Sequence, residues 1–532
     1  MSDLAERLVA GPGQDGFKGD SNGDSARGGV SVLAQPVATA VHLRPKVTDG
    51  MDERFAETDP NKGWDIARHP KVAQTLKSRR FQFALILPNQ IIFWLVIFLG
   101  LLGTVVPGLN FGTAITWYLW FCLVFVMMVV VGRAWCSMCP FGGFAEWIQR
   151  KAFWRRTQKS LGLGIKFPKS VARYGFLISV AAFLLLTYVE EFFNIAGPGA
   201  PAETSIMVLG IVVSALVFFL VFERRTFCRY VCPLSALIGS VGAMGSVAGF
   251  RTRDRDVCVA CATKDCMRGG DSGYGCPWYT WPGSADSNLA CGLCTECFKS
   301  CPSNNVGLFL QKPMTSVIAP RRRRLDIAWG VTLLWGLVLF QQVNATNLYA
   351  SFDGWLNRIT SLQYPNPIDY FGIIFVLAGL TAGIAWLVSR LGSRKVGNAE
   401  VTSRSRFRSF FVPMMYGIIP IVGADYFARQ LPKFFKHVSR LIPSIGAWFG
   451  VGSTHSALYN TRLLSDPGIV FVQVAVIAIG TLAALWASWK ITGRDLLPLS
   501  GHSATLRISV SLVVVACGAA AGILYVLMHA AS

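Results

Sequence analysis

Charged side chains are scarce and histidines scarcer: Asp, Glu, Lys and Arg make up 15% of the 532 residues, and there are six histidines. In the second half His437 and His455 lie in a loop, and His502 and His529 at the ends of an apolar run. A b-type haem needs two imidazoles facing each other inside a bundle, so none is expected. Acids are the rarer sign, 29 against 50 basic residues. The first 62 residues hold no apolar stretch of signal or anchor length. Rich in Gly, Asp, Ser and Ala, they read as a disordered, uncleaved, cytosolic tail.

What is abundant is apolar. With 52% hydrophobic residues and a mean hydropathy of +0.45, the chain is too hydrophobic for one soluble domain and too long for one anchor. Nine windows reach the ~20 apolar residues that cross a bilayer as helix: 85–106, 114–132, 171–193, 205–222, 326–344, 370–389, 407–425, 469–489 and 506–528. The expected fold is an all-α polytopic membrane bundle of about nine transmembrane helices. The seventh window is the least regular, interrupted by Pro413, Pro420 and Asp425.

The net charge of +21 does not point to nucleic acid, because the basic residues cluster beside apolar runs. Lys77, Arg79 and Arg80 precede the first window, Arg150 to Arg173 separate the second and third, and Arg321 to Arg324 precede the fifth. Such clusters mark the cytoplasmic side of an inner membrane. Arg429, Lys433, Lys436 and Arg440 fall on the other side, against the rule: either the seventh window is not a true crossing, or that loop is an interfacial amphipathic helix, the favoured expectation.

Eight of the fourteen cysteines crowd between Cys258 and Cys301, too closely for a disulfide framework and in the manner of metal-holding thiolates. Cys291, Cys294, Cys297 and Cys301-Pro302 form C-x2-C-x2-C-x3-C-P, the ferredoxin run. Cys258, Cys261, Cys266 and Cys276-Pro277 form a stretched version. In such motifs the fourth cysteine crosses to the other cluster. That logic assigns Cys258, Cys261, Cys266 and Cys301 to one [4Fe–4S] cluster, and Cys291, Cys294, Cys297 and Cys276 to a second. A pair of zinc ribbons is the weaker reading, since zinc needs no third cysteine in the turn. With every corner held by a thiolate, the segment is expected to relay electrons and perform no substrate chemistry, so no catalytic residue is assigned.

Four more cysteines stand at helix ends. Gly132-Arg-Ala-Trp-Cys136-Ser-Met-Cys139-Pro and Arg225-Thr-Phe-Cys228-Arg-Tyr-Val-Cys232-Pro each follow two apolar windows, which reads as a duplicated hairpin, the first copy one residue shorter. Symmetry would bring the four thiols together. They could hold a third metal centre, cycle as redox thiols, or merely terminate helices. The expected organisation is a tail over 1–62, a membrane domain over 63–250, a small α+β ferredoxin-like insertion over 251–312, and a second membrane domain over 313–532.

Over residues 80–312 these motifs resemble the membrane polyferredoxin family, which includes the quinol-dehydrogenase membrane subunit of periplasmic nitrate reduction, the nitrous-oxide reductase regulator and the cytochrome oxidase assembly ferredoxins. The resemblance implies a membrane electron carrier between a quinone or cytosolic donor and a partner redox enzyme, as a quinol dehydrogenase-like oxidoreductase component. An assembly factor for reductive maturation of a metalloenzyme is the alternative, and a transporter driven by electron flow a third. Members usually carry C-x3-C-P twice; Cys228 and Cys232 fit, while Cys136 and Cys139 are one residue short. The second half matches no member. Glu190, Glu191 and Glu203, flanking one outside loop, and Asp425, ending the seventh window, either sit in the headgroup region or take protons from a quinol, and Gln341, Gln342 and Asn344 are candidates to border its pocket. Cys122 and Cys517 read as apolar fillers.

Overall fold

A computed structural model describes residues 63–153, 161–195, 201–320, 323–361, 366–392, 403–497 and 503–530; the expected tail over 1–62 lies outside them. Among the described residues, eight helices are long and apolar enough to cross a membrane: Arg79–Leu102, Phe111–Arg150, Gly175–Phe192, Ala202–Val221, Leu325–Val343, Pro367–Arg390, Asp466–Leu496 and Thr505–Leu527. The seventh window becomes two helices, Arg406–Gly417 and Ile419–Trp448, bent by 40°. Proline explains the break: Pro420 sits at the start of the second helix, where its missing N–H removes a rung of the ladder. The count is therefore eight, or nine if the bent pair is one crossing.

The spans are unequal partners. In Leu325–Val343, 78% of the apolar window is buried against protein, compared with 28–39% in the other seven. It is the central helix, so it can carry Asp326, Thr332, Gln341 and Gln342 without presenting them to lipid. Around it runs one apolar core that joins Phe125 and Phe183 of the early spans to Trp335, Phe411, Tyr416, Ile477 and Tyr525 of the later ones. The two membrane halves thus share their packing.

Between the fourth and fifth spans lies a small lobe built on an antiparallel sheet. Its strands are β1 (Trp64–Asp65), β2 (Val247–Thr252) and β3 (Val306–Leu310), in the order β1-β3-β2. β2 and β3 bracket the cysteine-rich segment, with Thr252 opposite Val306 and Val247 opposite Leu310 across a bulge before Gly249. β1 comes from upstream of the first span. Asp65 fixes it there, accepting from the Ala67 amide at 3.0 Å and from Arg253 Nε at 2.8 Å. Lys77 Nζ donates to Asn304 at 2.7 Å, and Arg79 pairs with Glu296 at 3.4 Å, so the helix Glu296–Ser300 rests on the start of the first span. Burial alone would raise the Glu296 carboxyl, but Arg150, Lys299 and Arg79 hold it below its ordinary range.

At the other end of the third span, three of the four cations expected to break the charge rule pair with acids. Lys433 lies 3.8 Å from Glu190, Arg429 4.0 Å from Glu191, and Lys436 pairs with Asp466. These residues continue the helix Ile419–His437 and do not form a separate interfacial one. An amphipathic helix does occur nearby, at Asn347–Thr360, where Leu348, Phe352, Trp355 and Ile359 make an exposed stripe at helical spacing.

Candidate iron–sulfur sites

The first four-cysteine group is assembled by short helices. Asp254 caps Arg255–Ala260 by accepting from the Asp256 amide at 2.8 Å, which places Cys258 on the last full turn and Cys261 just beyond it. Cys266 stands on the turn Asp265–Arg268, and Cys301 follows Glu296–Ser300. Cys258, Cys261, Cys266 and Cys301 line one pocket, part of it open to the exterior. Three N–H groups point at sulfur: Lys264 N to Cys261 at 3.4 Å, Asn305 N to Cys301 at 3.3 Å and Asn305 Nδ2 to Cys258 at 3.3 Å. Such bonds stabilise anionic sulfur.

The second group is wound more tightly. Leu293 and Thr295 take positive φ (52° and 63°), coiling the chain so that Cys291, Cys294 and Cys297 face one way. Cys276 is an electrostatic neighbour of all three. The groups adjoin, since Cys266 faces Cys276 as well as Cys301, Cys258 and Cys261. Burial pushes the Cys266 thiol up to about 12, and those neighbouring sulfurs push the same way. Thiols packed like this ionise together only where bound cations hold them.

Two further features fit an anionic guest at the second group. Arg251, on β2, is 1% exposed, and none of its three guanidinium nitrogens has a hydrogen-bond acceptor among the described residues; its electrostatic neighbours are Cys291 and Asp286. A buried unpaired cation is costly unless a negative charge faces it, and a [4Fe–4S] cluster with four thiolates is negative. Gly249 has φ +91°, and a Cβ there would lie 2.9 Å from Cys291 Sγ. The bulge thus lets β2 pass against the cysteine.

The third group lies at the membrane edge. Cys139 and Cys232 occupy equivalent extended positions (φ −63°, ψ 126° and φ −53°, ψ 119°), each followed by a proline that opens a helix, Pro140–Arg150 and Pro233–Gly242. Upstream the copies differ. The first spans its cysteine pair with an α turn, Trp135–Met138; the second uses a π turn, Phe227–Val231, closed by Cys232 N to Phe227 O at 2.8 Å. The extra residue is absorbed as a π-bulge, so the different spacings deliver equivalent cysteines. Cys228 has Cys232, Cys139 and Cys136 as electrostatic neighbours, and Cys232 has Cys139 and Cys136. Cys136 and Cys228 also pack against the apolar cluster that contains Cys276, Cys294 and Cys297.

Among the described residues, no three His, Cys, Asp or Glu side chains close on a point as ligands of one metal ion do. Of the other sequence candidates, Gln342 Nε2 donates to Asp425 and Asn344 Nδ2 to Glu191 at 2.9 Å, while Arg429 binds the main-chain carbonyl of Gln341 at 2.8 Å and the Gln341 side-chain oxygen is buried without a hydrogen-bond partner among the described residues. Cys122 is buried among apolar neighbours in the second span.

The family model for a 4Fe-4S binding domain matches residues 113–161 and 204–246. These segments hold the second helix of each hairpin and the membrane-edge cysteine motif after it; the match does not include the lobe that the ferredoxin spacing singled out. No curated protein and no solved structure matches the chain. The family match and the apolar helices together mark an iron–sulfur protein of ferredoxin type on a multi-pass helical bundle.

Proposed function

We propose that this chain is a membrane electron relay holding three [4Fe–4S] clusters, one in each cysteine group, between a quinone and a partner redox protein. The observation that carries the reading is the succession of groups. Cys258, Cys261, Cys266 and Cys301 adjoin Cys276, Cys291, Cys294 and Cys297 through Cys266 and Cys276. The second group in turn reaches the membrane edge, where Cys294 neighbours Arg225 and Arg225 neighbours Cys228. Bound clusters would supply one-electron storage at each position. The chain supplies the spacing, the N–H groups on sulfur and a dry surround for Cys294 and Cys297, both buried.

A cavity beside the third group supports a quinone at the membrane end. Ile92, Val96, Ile115, Thr116, Trp120 and Trp135 are among its lining residues, and it holds about 510 Å³ of space free of protein atoms, part of it open to the exterior. Its wall is apolar and aromatic, with Asn89 and Thr116 as polar groups, a composition suited to a flat ring bearing carbonyls. Trp135 and Pro140 in that wall are the sequence neighbours of Cys136 and Cys139. The π-helix Ala114–Trp120 supplies Ile115, Thr116 and Trp120.

Iron and acid-labile sulfide on anaerobically purified protein test the reading. About twelve of each per chain are expected, about eight would remove the third cluster, and bound zinc with little iron would overturn the relay.

A further inference from the structure

The two hairpin copies do not complete their own half-sites; each reaches into the other. Arg133 stands three residues before Cys136, and Arg225 three before Cys228. Arg225 is 1% exposed and crosses to the first copy, where Nη1 donates to the Cys136 carbonyl at 2.9 Å and Nη2 to Glu146 at 2.6 Å. Arg133, 5% exposed, crosses to the second, where Nη2 donates to Ser235 Oγ at 2.7 Å; Ser235 Oγ donates on to the Cys228 carbonyl at 2.7 Å.

The residues that receive these arginines are themselves equivalent. Seven positions after the Cys-Pro cysteine, the first copy has Glu146, which binds Arg225, and the second has Gly239, whose added Cβ would lie 3.0 Å from Arg133 Nη1. Three positions after it, the second copy has Ser235, which binds Arg133, and the first has Gly142, whose added Cβ would lie 3.3 Å from Cys228 Sγ. The duplicated unit has thus diverged so that each guanidinium has a seat in the opposite repeat. Both also touch the lobe: Arg133 donates to the Leu289 carbonyl and lies 4.6 Å over the Trp278 ring, and Arg225 neighbours Cys294.

We propose that Arg133 and Arg225 are reciprocal positioning residues that clamp the two repeats into one four-cysteine centre, seat the lobe against it and lend that centre their positive charge. This rests on the reading of Cys136, Cys139, Cys228 and Cys232 as a cluster site. A cation beside a cluster favours the reduced, more negative state, because the attraction is little screened where water is excluded. The arginines therefore hold the membrane-edge centre at a higher potential than its thiolates alone would give.

The test is an EPR redox titration of the full-length protein in detergent, with iron counted per chain. Arg225→Gln and Arg133→Gln are each made alone; in the first, Glu146 keeps Arg150 as its ion-pair partner, so no buried carboxylate is stranded. The expected result is about eight irons at the lobe retained, with the third signal either lost or moved to lower potential. Arg225→Lys, which restores charge, is expected to bring the midpoint back towards wild type. About twelve irons with an unmoved third midpoint in both Gln variants would overturn the proposal. So would a shift that Arg225→Lys fails to reverse. A wild-type protein with only eight irons would refute the third cluster itself, a separate outcome read before any variant is made.

Discussion

Gly249→Ala isolates one contact between the sheet and the second cysteine group. The new methyl meets two penalties. At φ +91° an L-residue leaves its allowed region, at a cost of about 1–3 kcal/mol. Its Cβ would also stand 2.9 Å from Cys291 Sγ and 3.1 Å from Cys291 Cβ, far inside normal contact, and overpacking of this kind costs about 1–3 kcal/mol. The sum, roughly 2–6 kcal/mol, falls on the bulge and the cysteine it touches, so relief comes from shifting Cys291 away. The group of Cys276, Cys291, Cys294 and Cys297 should then bind its cluster at least tenfold more weakly, since 1.4 kcal/mol is a factor of ten. The assay is iron per chain after brief exposure to a chelator. About four irons should leave the variant faster than they leave wild type, and the other cysteine groups should keep theirs. Identical iron release would refute the reasoning, because it would mean that β2 and Cys291 are not in contact.

Cys261→Ala and Cys294→Ala should each remove about four irons, from the first and second groups respectively, and unchanged iron would sink the ligand assignment. Changing Cys228 and Cys232 to Ser together should also cost about four irons while leaving the spin-coupled EPR signal of the lobe intact; loss of that signal would show that the third group is needed to build the lobe. Glu296→Gln should destabilise the lobe in a pH-dependent way. The folded carboxyl is held below its ordinary value of 4.5, so its contribution is complete at neutral pH and is lost as pH falls through the folded value. The gap in thermal midpoint between wild type and variant should narrow from pH 7 towards pH 4, and a constant gap would contradict the depressed carboxyl.

Local spacing and periodicity were enough for the elements that depend on local chemistry. A run of apolar residues becomes a span whatever its neighbours, because backbone groups in lipid must bond within the helix; eight of the nine windows became such helices. Pro413, Pro420 and Asp425 marked in advance where the bundle would be irregular, and the bend falls beside Pro420. The sequence boundary at 251 missed the start of β2 at Val247, and nothing local revealed that Trp64–Asp65 would join the sheet. A two-residue strand carries no periodic signal, and it forms because Arg253 and β3 wait on the far side of four spans.

The membrane-edge cysteines show the same division. By sequence alone, Cys136–Cys139 and Cys228–Cys232 looked mismatched by one residue. The difference disappears in three dimensions, because a π turn takes up the extra residue. Likewise, Arg133 and Arg225 stood in the sequence only as members of the two cysteine motifs, and the fold carried each into the opposite repeat. Sequence determined which segments are helical and apolar, and which cysteines carry ferredoxin spacing, since those properties are set over a few turns of chain. Tertiary structure decided which thiols share a space, which cations face them and which acids pair with Arg429 and Lys433, since these depend on packing between segments whose separation in sequence contains no record of their distance in space.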